Sequence, residues 1–255
     1  NQNSTTRLFT LKSDNRESIK CDSAGDSKFI KCWWPGQFII LSMPGFGEAP
    51  FAICSAPSLC SDFQVCIKRK GALTAKIFEL KSGDAISFRG PYGNGFPLSK
   101  TVGRNILLVT GGLGLIPLRP LIQLILNHPS EFKKVQLAFG ARDEKSLLFK
   151  NEYKDWQKNI DINITLDLSE KNWTGHTGLI TALFDKISIS NKPIVIICGP
   201  PVMFLPVIKK LLKKGAVESD IYVTLERRMH CGIGVCQHCV LVNGTYVSKG
   251  GPALK

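Results

Sequence analysis

The chain has 255 residues, of which 44% are hydrophobic, and a formal net charge of +13. This length is enough to bury a core in two ordinary domains, or three if one is a small metal-bound lobe. Lysines are dispersed without interleaved aromatic residues and no apolar stretch approaches the roughly 20 residues of a membrane span, which argues against a base-stacking surface and a bilayer protein.

The first hundred residues consist of short apolar runs separated by Gly and Pro, at positions 37–42, 51–54, 63–68 and 85–88. Brief strands with turn residues between them predict a β-barrel. Residues 74–80 carry apolar side chains at helical spacing and predict one short helix.

Two segments of this region have the composition of a binding site. Residues 48–55 place an aromatic and several small side chains on a strand, where extended backbone can lie against a planar ring. Residues 68–74 place positive charge and a glycine before a helix, which suits a diphosphate. An ordinary core strand and a solvated basic turn explain the two segments equally well.

From about residue 104 the pattern changes to short apolar strands that alternate with helices, with strands predicted at 106–110, 135–139, 162–166, 194–198 and 221–225. This alternation is typical of a doubly wound α/β domain with a parallel sheet.

The first of these strands ends in a glycine turn that opens a helix, with glycines at Gly111, Gly112 and Gly114. Glycines there let backbone amides close on a pyrophosphate at the positive end of a helix. The pattern lacks the full G-x-G-x-x-G spacing, so a tight turn without a ligand is the alternative.

Two later strand ends lie where such sheets bind ligands. Cys198, Gly199 and Pro200 end the fourth strand, although a buried core thiol is the ordinary interpretation of Cys198. Arg142 follows the second strand, where a cation meets a 2′-phosphate, whereas the adjacent Asp143 favours an unphosphorylated ribose. The sequence leaves NAD and NADP both open.

Near the carboxyl end, Cys231, Cys236 and Cys239 form a C-x4-C-x2-C run with the spacing of iron–sulfur ligands. The intervening glycines let the loop turn so that the sulfurs converge. No cysteine follows Cys239 in this sequence, and Ser248 stands where a fourth ligand is expected.

Zinc is the alternative metal for these cysteines, in a Cys3His site completed by His230 or His238. Nine cysteines in a chain without a recognisable secretion signal favour a reducing compartment over a disulfide framework. The sequence therefore predicts a cytoplasmic protein.

These segments, in this order, resemble the ferredoxin-NADP reductase superfamily. Within it they are similar to the iron–sulfur flavoprotein components of sulfhydrogenase (its gamma subunit), of anaerobic sulfite reductase and of dihydroorotate dehydrogenase (its electron-transfer subunit). Besides the glycine turn and the cysteines, the matching motifs are Pro35-Gly36-Gln37-Phe38, Glu48-Ala49-Pro50-Phe51, Arg89-Gly90-Pro91-Tyr92-Gly93, Gly140-Ala141-Arg142, Cys198-Gly199-Pro200 and Glu226-Arg227-Arg228-Met229.

The resemblance implies three domains: an FAD-binding β-barrel at 1–100, an NAD(P)-binding α/β domain at 101–222 and a 2Fe-2S lobe at 223–255. It implies that the flavin ring and ribityl chain lie along Pro50, Phe51, Ala52, Ile53, Cys54 and Ser55. It assigns the FAD diphosphate to Arg69, Gly71, Ala72, Leu73 and Thr74.

The same resemblance assigns the nicotinamide nucleotide to Gly111, Gly112, Gly114 and Arg142. The reactive nicotinamide ring is then expected near Cys198, as the catalytic position, and near Gly199 and Pro200. The expected metal ligands are Cys231, Cys236, Cys239 and Ser248.

Two departures from the family pattern matter. The flavin motif Arg-x-Tyr-Ser reads Ala49-Pro50-Phe51-Ala52, which loses a cation, a phenol and a hydroxyl. Ser248 replaces the cysteine expected as the fourth cluster ligand.

The resemblance implies an electron-transfer flavoprotein subunit that links NAD(P)H, FAD and a 2Fe-2S cluster to a partner redox enzyme, such as a hydrogenase or a sulfur or disulfide reductase. Flavin exchanges electrons singly or in pairs, which suits this position between two-electron and one-electron carriers. The basic surface is expected to attract an acidic partner. The alternative is an adaptor subunit that keeps the flavin but has lost the cluster.

Overall fold

The computed structural model describes residues 2–13, 32–57, 62–168 and 172–255. It divides into two compact units. The first comprises Asn1–Phe96 together with Leu225–Ala253, and the second comprises Pro97–Thr224 with Leu254–Lys255. The cysteine segment therefore belongs to the same unit as the N-terminal strands.

The first unit is built from antiparallel strands and one short helix: β1 (Thr6–Lys12), β2 (Phe38–Met43), β3 (Gly47–Ala52), β4 (Asp62–Lys68), α1 (Ala72–Ile77) and β5 (Ser87–Tyr92). Strand β2 lies between β3 and β5, and β1 pairs with β4. An isolated bridge between Ile53 and Val65 joins the two sheets. Trp33, Leu41 and Ile67 are fully buried in the shared core. The predicted sheet-rich N-terminal domain is confirmed.

The boundaries in this unit differ from the predicted ones. Strand β3 begins at Gly47 and ends at Ala52, whereas the apolar run indicated 51–54. Its first two residues, Gly47 and Glu48, are exposed and are not apolar. The apolar pattern therefore does not indicate the start of the strand. Helix α1 begins earlier than the predicted 74–80 because Gly71 is its N-cap and Thr74 closes the first turn.

The second unit alternates strands and helices: α2 (Leu98–Thr101), β6 (Ile106–Gly111), α3 (Leu115–Asn127), β7 (Val135–Ala141), α4 (Tyr153–Trp156), β8 (Ile160–Leu166), β9 (His176–Thr177), α5 (Ile180–Lys186), β10 (Ile194–Cys198), α6 (Pro201–Lys213) and β11 (Ile221–Thr224). The strands pair in parallel in the order β11-β10-β6-β7-β8-β9. The predicted parallel sheet is confirmed.

Chain order reverses between β6 and β10, which lie side by side although several elements separate them in sequence. Both strands are buried on both faces, as expected for a sheet covered by helices. Such a switch point is where an open parallel sheet leaves a crevice beyond its carboxyl strand ends. The glycine turn follows β6, and Gly199 follows β10.

The C-terminal segment contains a short helix, α7 (Val247–Gly250), and a final strand, β12 (Ala253–Leu254), at the β11 end of the large sheet. A bridge between Val240 and Tyr246 closes the loop before α7. Cys32 is disulfide-bonded, which the cysteine pattern did not predict, whereas the six other described cysteines form no disulfide. None of the helices in the described ranges has the length and apolar character required to cross a bilayer.

Candidate functional site

Strand β3 has one edge open to a ligand. Its other edge pairs with β2 in a register that sets Phe51 opposite Ile39 and Ala52 opposite Phe38. The Ile53 N–H donates to the Gln37 carbonyl oxygen at 3.1 Å. Because hydrogen-bonded pairs alternate along an antiparallel ladder, the peptide groups of Pro50 and Ala52 point away from β2. Pro50, which has no N–H, occupies such an outward position.

The six predicted flavin residues divide into two groups. Pro50, Phe51 and Ala52 are partly exposed, although Phe51 also packs against the core. Ile53 and Cys54 are buried core residues. Ser55 is committed to the fold, because its carbonyl accepts from Trp33 Nε1 at 3.0 Å and its Oγ accepts from the Gln64 N–H at 3.0 Å.

The start of α1 carries the predicted diphosphate residues. The Oγ1 of Thr74 accepts from the N–H groups of Lys70 and Gly71 at 2.9 and 3.0 Å and so closes the turn. The N–H groups of Ala72 and Leu73 in the first helical turn have no partner within the helix. Arg69 is exposed beside them. Free amides and a guanidinium at one turn are suitable donors for a diphosphate.

In the second unit, the glycine turn is shaped by close packing. A Cβ on Gly114 would lie 2.2 Å from the carbonyl oxygen of Cys198, and one on Gly111 would lie 2.9 Å from Met203 Sδ. Gly112 has φ +54° and no heavy atom within 4 Å of its Cβ position. Gly111 and Gly114 therefore allow the turn to pack closely against Met203 and Cys198. Gly112 borders open space in which a phosphate fits.

At the end of β10 the backbone, and not the Cys198 thiol, is available to a ligand. Cys198 is fully buried, which favours its interpretation as a core thiol. Gly199 follows with a φ of +157°, and a Cβ added to it would lie 3.0 Å from the Gly111 nitrogen. Exposed Pro200 comes next and precedes α6.

Thr110 is a candidate that sequence reasoning missed. It is the last but one residue of β6, in register with Cys198, and its buried Oγ1 has no hydrogen-bond partner within the described residues. A buried unpaired hydroxyl is costly, so a ligand group at this strand end would stabilise it. The only signal in the sequence was a threonine directly before the glycine turn.

Arg142 and Asp143 follow β7. Arg142 is exposed. The Oδ1 of Asp143 accepts from the Ser146 N–H at 2.8 Å and from Ser146 Oγ at 2.7 Å. The Ser146 hydroxyl lowers the pKa of this carboxyl from its ordinary value, so Asp143 is ionised and already holds the local turn.

In the cysteine segment of the first unit, backbone amides surround the first two thiols. The Cys236 N–H points at Cys231 Sγ over 3.5 Å. The pKa of Cys236 is lowered to about 7, first because the backbone N–H of His238 donates to its sulfur and then because that of Cys231 does. Such an arrangement of N–H groups stabilises a thiolate and therefore suits a metal cluster.

The candidate metal donors form two pairs. The first pair is Cys231 and Cys236. The second pair is Cys239 and Ser248, which are both buried, and the Cys239 thiol donates to Ser248 Oγ at 3.1 Å. Among the described residues, no three His, Cys, Asp or Glu side chains gather around one metal position. A Cys3His zinc site and a two-iron cluster both require more than two of these donors to converge, so this arrangement favours neither metal.

Three residues of the neighbouring strands hold the cysteine loop, and sequence reasoning did not assign them this role. Arg89 on β5 donates to the Cys231 carbonyl oxygen at 2.7 Å and to the His230 carbonyl oxygen. It also pairs with Glu48 Oε1 on β3 at 2.6 Å. A Cβ on Gly232 would lie 2.5 Å from the Tyr92 ring, so only glycine permits this contact.

The surface of the cysteine segment combines apolar and charged groups. Ile233, Val235, Val240 and Val242 are exposed apolar side chains. An open depression of ≈ 440 Å³ is lined by Glu226, Arg227, Arg228 and His238.

Comparison with known proteins identifies a matching domain model and several relatives. Residues 108–208 match the model of the oxidoreductase NAD-binding domain. The chain is 37% identical over 237 residues to sulfhydrogenase 2 subunit gamma of Pyrococcus furiosus, covering 86% of this chain and 81% of that protein. It is 36% identical over 228 residues to a probable dihydroorotate dehydrogenase B (NAD(+)) electron transfer subunit of Thermococcus kodakarensis, covering 87% and 84%.

Among solved structures, an NADH-dependent reduced ferredoxin-NADP oxidoreductase has a similar fold, with a TM-score of 0.77 and 23% identity over 100% of this chain and 84% of that one. The cytochrome b5 reductase domain of Ulva prolifera nitrate reductase has a TM-score of 0.66 and 18% identity, covering 86% and 91%. These two likenesses concern the fold.

Proposed function

Because the chain belongs to the ferredoxin-NADP reductase superfamily, with sulfhydrogenase gamma subunits and dihydroorotate dehydrogenase B electron-transfer subunits among its relatives, we propose that it is an electron-transfer flavoprotein subunit. It binds FAD, a nicotinamide nucleotide and a 2Fe-2S cluster, and it exchanges electrons with a partner redox enzyme. When bound, these groups supply hydride exchange, conversion between paired and single electrons, and one-electron transfer.

The first unit carries the observation that most supports this proposal. The open edge of β3, the amides of α1 and the cysteine loop all belong to one compact unit. Arg89 bonds to Glu48, which precedes the flavin residues, and to the carbonyl oxygen of Cys231. A single side chain therefore fixes the proposed flavin strand and the proposed cluster loop to each other.

In this proposal the chain binds and orients but performs no acid–base step. Ala52 and Pro50 present outward peptide groups to the flavin ring, and Arg69 neutralises its diphosphate. Gly112 admits the pyrophosphate of the nicotinamide nucleotide. Because Cys198 is buried, we assign the catalytic position at this strand end to the backbone of Cys198 and Gly199.

The cluster assignment rests on the donor set. The C-x4-C-x2-C spacing of Cys231, Cys236 and Cys239 and the backbone amides that stabilise the Cys236 thiolate support a two-iron cluster. The partner binds over the exposed apolar side chains beside these cysteines, where burial favours association. Although Cys32 is disulfide-bonded, the six other described cysteines form no disulfide, which is typical of a reducing compartment, and we place the protein in the cytoplasm.

The decisive experiment is anaerobic purification of the full chain with its native partner, followed by titration with NADH and, separately, NADPH. We expect flavin and iron–sulfur absorption bands that both bleach with one of the two nucleotides. Flavin bands alone would favour the adaptor alternative, and zinc without iron would favour a structural metal. A colourless protein that does not bind added FAD would refute the proposed function.

Preference between the two nucleotides depends on the turn after β7. Arg142 is exposed and available to a 2′-phosphate, whereas Asp143 is ionised and repels one. Because Asp143 holds Ser146 through one oxygen, its charge stays fixed at this place. We propose NADH as the preferred nucleotide, and the comparison of the two titrations tests it.

A further inference from the structure

Helix α6 carries apolar side chains on two opposite faces, and only one of these faces is buried. The residues packed into the core of the second unit are Met203, Phe204, Val207 and Leu211. On the other side, Leu205 and Leu212 have 61% and 38% of their surface exposed. A surface helix normally keeps its large apolar side chains for the buried face. The solvent side of α6 therefore has apolar area that the fold of this chain does not use.

Two lysines lie on the same side of the helix. Leu205, Lys209, Leu212 and Lys213 occupy positions i, i+4, i+7 and i+8, which lie along one face of an α-helix. Both lysines are exposed. We call these four residues the outer face of α6. Apolar and positively charged side chains alternate along it.

The outer face has no negative charge of its own. The α6 sequence contains no Asp or Glu. The neighbouring Asp185 on α5 pairs with Lys210 at 2.6 Å, and this hydrogen bond lowers the pKa of the Asp185 carboxyl, which is therefore already engaged. Within the described part of the chain, neither Lys209 nor Lys213 forms an ion pair. The outer face thus complements a surface that has carboxylates among apolar side chains.

The order of the side chains distinguishes the possible occupants of this face. A helix that lies on a membrane separates its apolar side from its charged side, so that only apolar side chains enter the bilayer. Here Lys209 lies between Leu205 and Leu212, and a bilayer would have to take up a lysine together with the two leucines. In a two-fold contact between copies of this chain, the same lysines would lie against each other. An acidic protein surface has neither cost.

We infer that the outer face of α6 binds an acidic segment of the partner redox enzyme, whose carboxylates meet Lys209 and Lys213 and whose apolar side chains cover Leu205 and Leu212. These residues span about 12 Å of helix. A contact this short is at the weak end of the range for protein complexes, so it adds to the proposed contact beside the cysteines. The inference rests on the part of the proposed function that gives the chain a partner, and not on its cofactors.

The first test is lysine acetylation by an N-hydroxysuccinimide ester, read by mass spectrometry, on the native complex and on the full chain alone. We expect Lys209 and Lys213 to react several-fold more slowly in the complex. Lys133 is an exposed lysine of the same unit outside α6 and should react equally in both samples. Equal reaction of the α6 lysines in both samples would show that this inference is wrong, even where the flavin and cluster bands bleach as the proposed function requires.

The second test measures the affinity of the partner for the immobilised full chain at several salt concentrations. Lys209→Glu should raise the Kd about tenfold and reduce its salt dependence, because a carboxylate then faces carboxylates. Leu205→Ala should weaken binding at every salt concentration. Lys133→Glu makes the same charge change outside α6 and should keep the natural Kd. If both charge reversals weaken binding equally, only the net charge matters and the assigned surface is wrong.

The folding of the variants and the other occupants are checked separately. Because Leu205 and Lys209 are exposed, both variants should keep the circular dichroism spectrum of the natural chain. Sedimentation of the natural chain with phosphatidylglycerol vesicles, lost in Lys209→Glu, would assign the face to a membrane. A dimer in light scattering that Lys209→Glu dissociates would assign it to a second copy. Either result would overturn the inference.

Discussion

Arg89 donates a 2.7 Å hydrogen bond to the carbonyl oxygen of Cys231, although 142 residues separate them in the sequence. The same guanidinium pairs with Glu48 on β3 and lies over the Tyr92 ring at 5.9 Å from its centroid. One planar cation therefore ties two strands to the loop with the first candidate metal ligand. A guanidinium suits this task because its donors are fixed in one plane.

Replacement of Arg89 should loosen the cysteine loop. In Arg89→Gln the hydrogen bonds to two loop carbonyls and the pair with Glu48 are lost, and the half-exposed position limits the cost to about 1–2 kcal/mol. We expect less iron per flavin than in the natural chain. We also expect a lower unfolding temperature, measured by the rise of flavin fluorescence on heating. Arg104→Gln removes a comparable pair with Asp220 from the second unit and should keep its iron. Equal iron in both variants would contradict the proposed role.

Removal of the Arg69 charge should weaken flavin binding. Arg69 is exposed and lies two residues before Gly71, the N-cap of α1, where the FAD diphosphate is proposed to bind. Loss of one charge-assisted contact in Arg69→Gln should raise the Kd for FAD about tenfold. Fluorescence titration of the deflavinated protein measures this. Lys81→Gln removes the same charge from an exposed turn of the same unit and should leave the Kd unaltered; an equal effect would indicate only a general loss of charge.

Gly112 should be essential for nucleotide binding but not for folding. Its Cβ position is open, so Gly112→Ala costs only about 1 kcal/mol of backbone strain at φ +54° while placing a methyl group in the proposed pyrophosphate site. We expect NADH affinity to fall at least about tenfold by isothermal titration calorimetry. Gly103→Ala has the same kind of strain, at φ +67° with open space, and is the control. Unchanged affinity in Gly112→Ala would place the pyrophosphate elsewhere.

The sequence predicted those features that depend on local pattern. Buried strands such as β10, with apolar residues at every position, were found at 194–198 as predicted. The interactions of Arg89 and the pairing of Cys239 with Ser248 depend on how separate segments of the chain fold together, so residue spacing cannot show them. The orphaned hydroxyl of Thr110 was hidden for another reason, because whether a hydroxyl is satisfied depends on its surroundings and not on its neighbours in sequence.

A last prediction concerns the stability of the second unit. Arg119 on α3 is almost fully buried, donates from Nε and Nη2 to the Glu152 carboxylate at 2.8–3.0 Å, and lies 4.8 Å from the centroid of the Phe149 ring. Glu152→Gln keeps the shape but removes the negative charge from a buried ion pair. Breaking such a pair is costly, and the partial exposure of Glu152 reduces the expected loss to about 2 kcal/mol.

Urea denaturation followed by intrinsic tryptophan fluorescence measures this effect, because Trp156 lies buried close to Tyr153 and Phe149. Glu79→Gln is the control, since Glu79 pairs with Lys76 on the surface of the first unit and exposed pairs contribute little. Its transition should coincide with that of the natural chain. If the urea midpoint of Glu152→Gln equals that of the natural chain, the buried pair does not stabilise the unit. The position of Arg119 then depends on apolar packing of its side chain along α3.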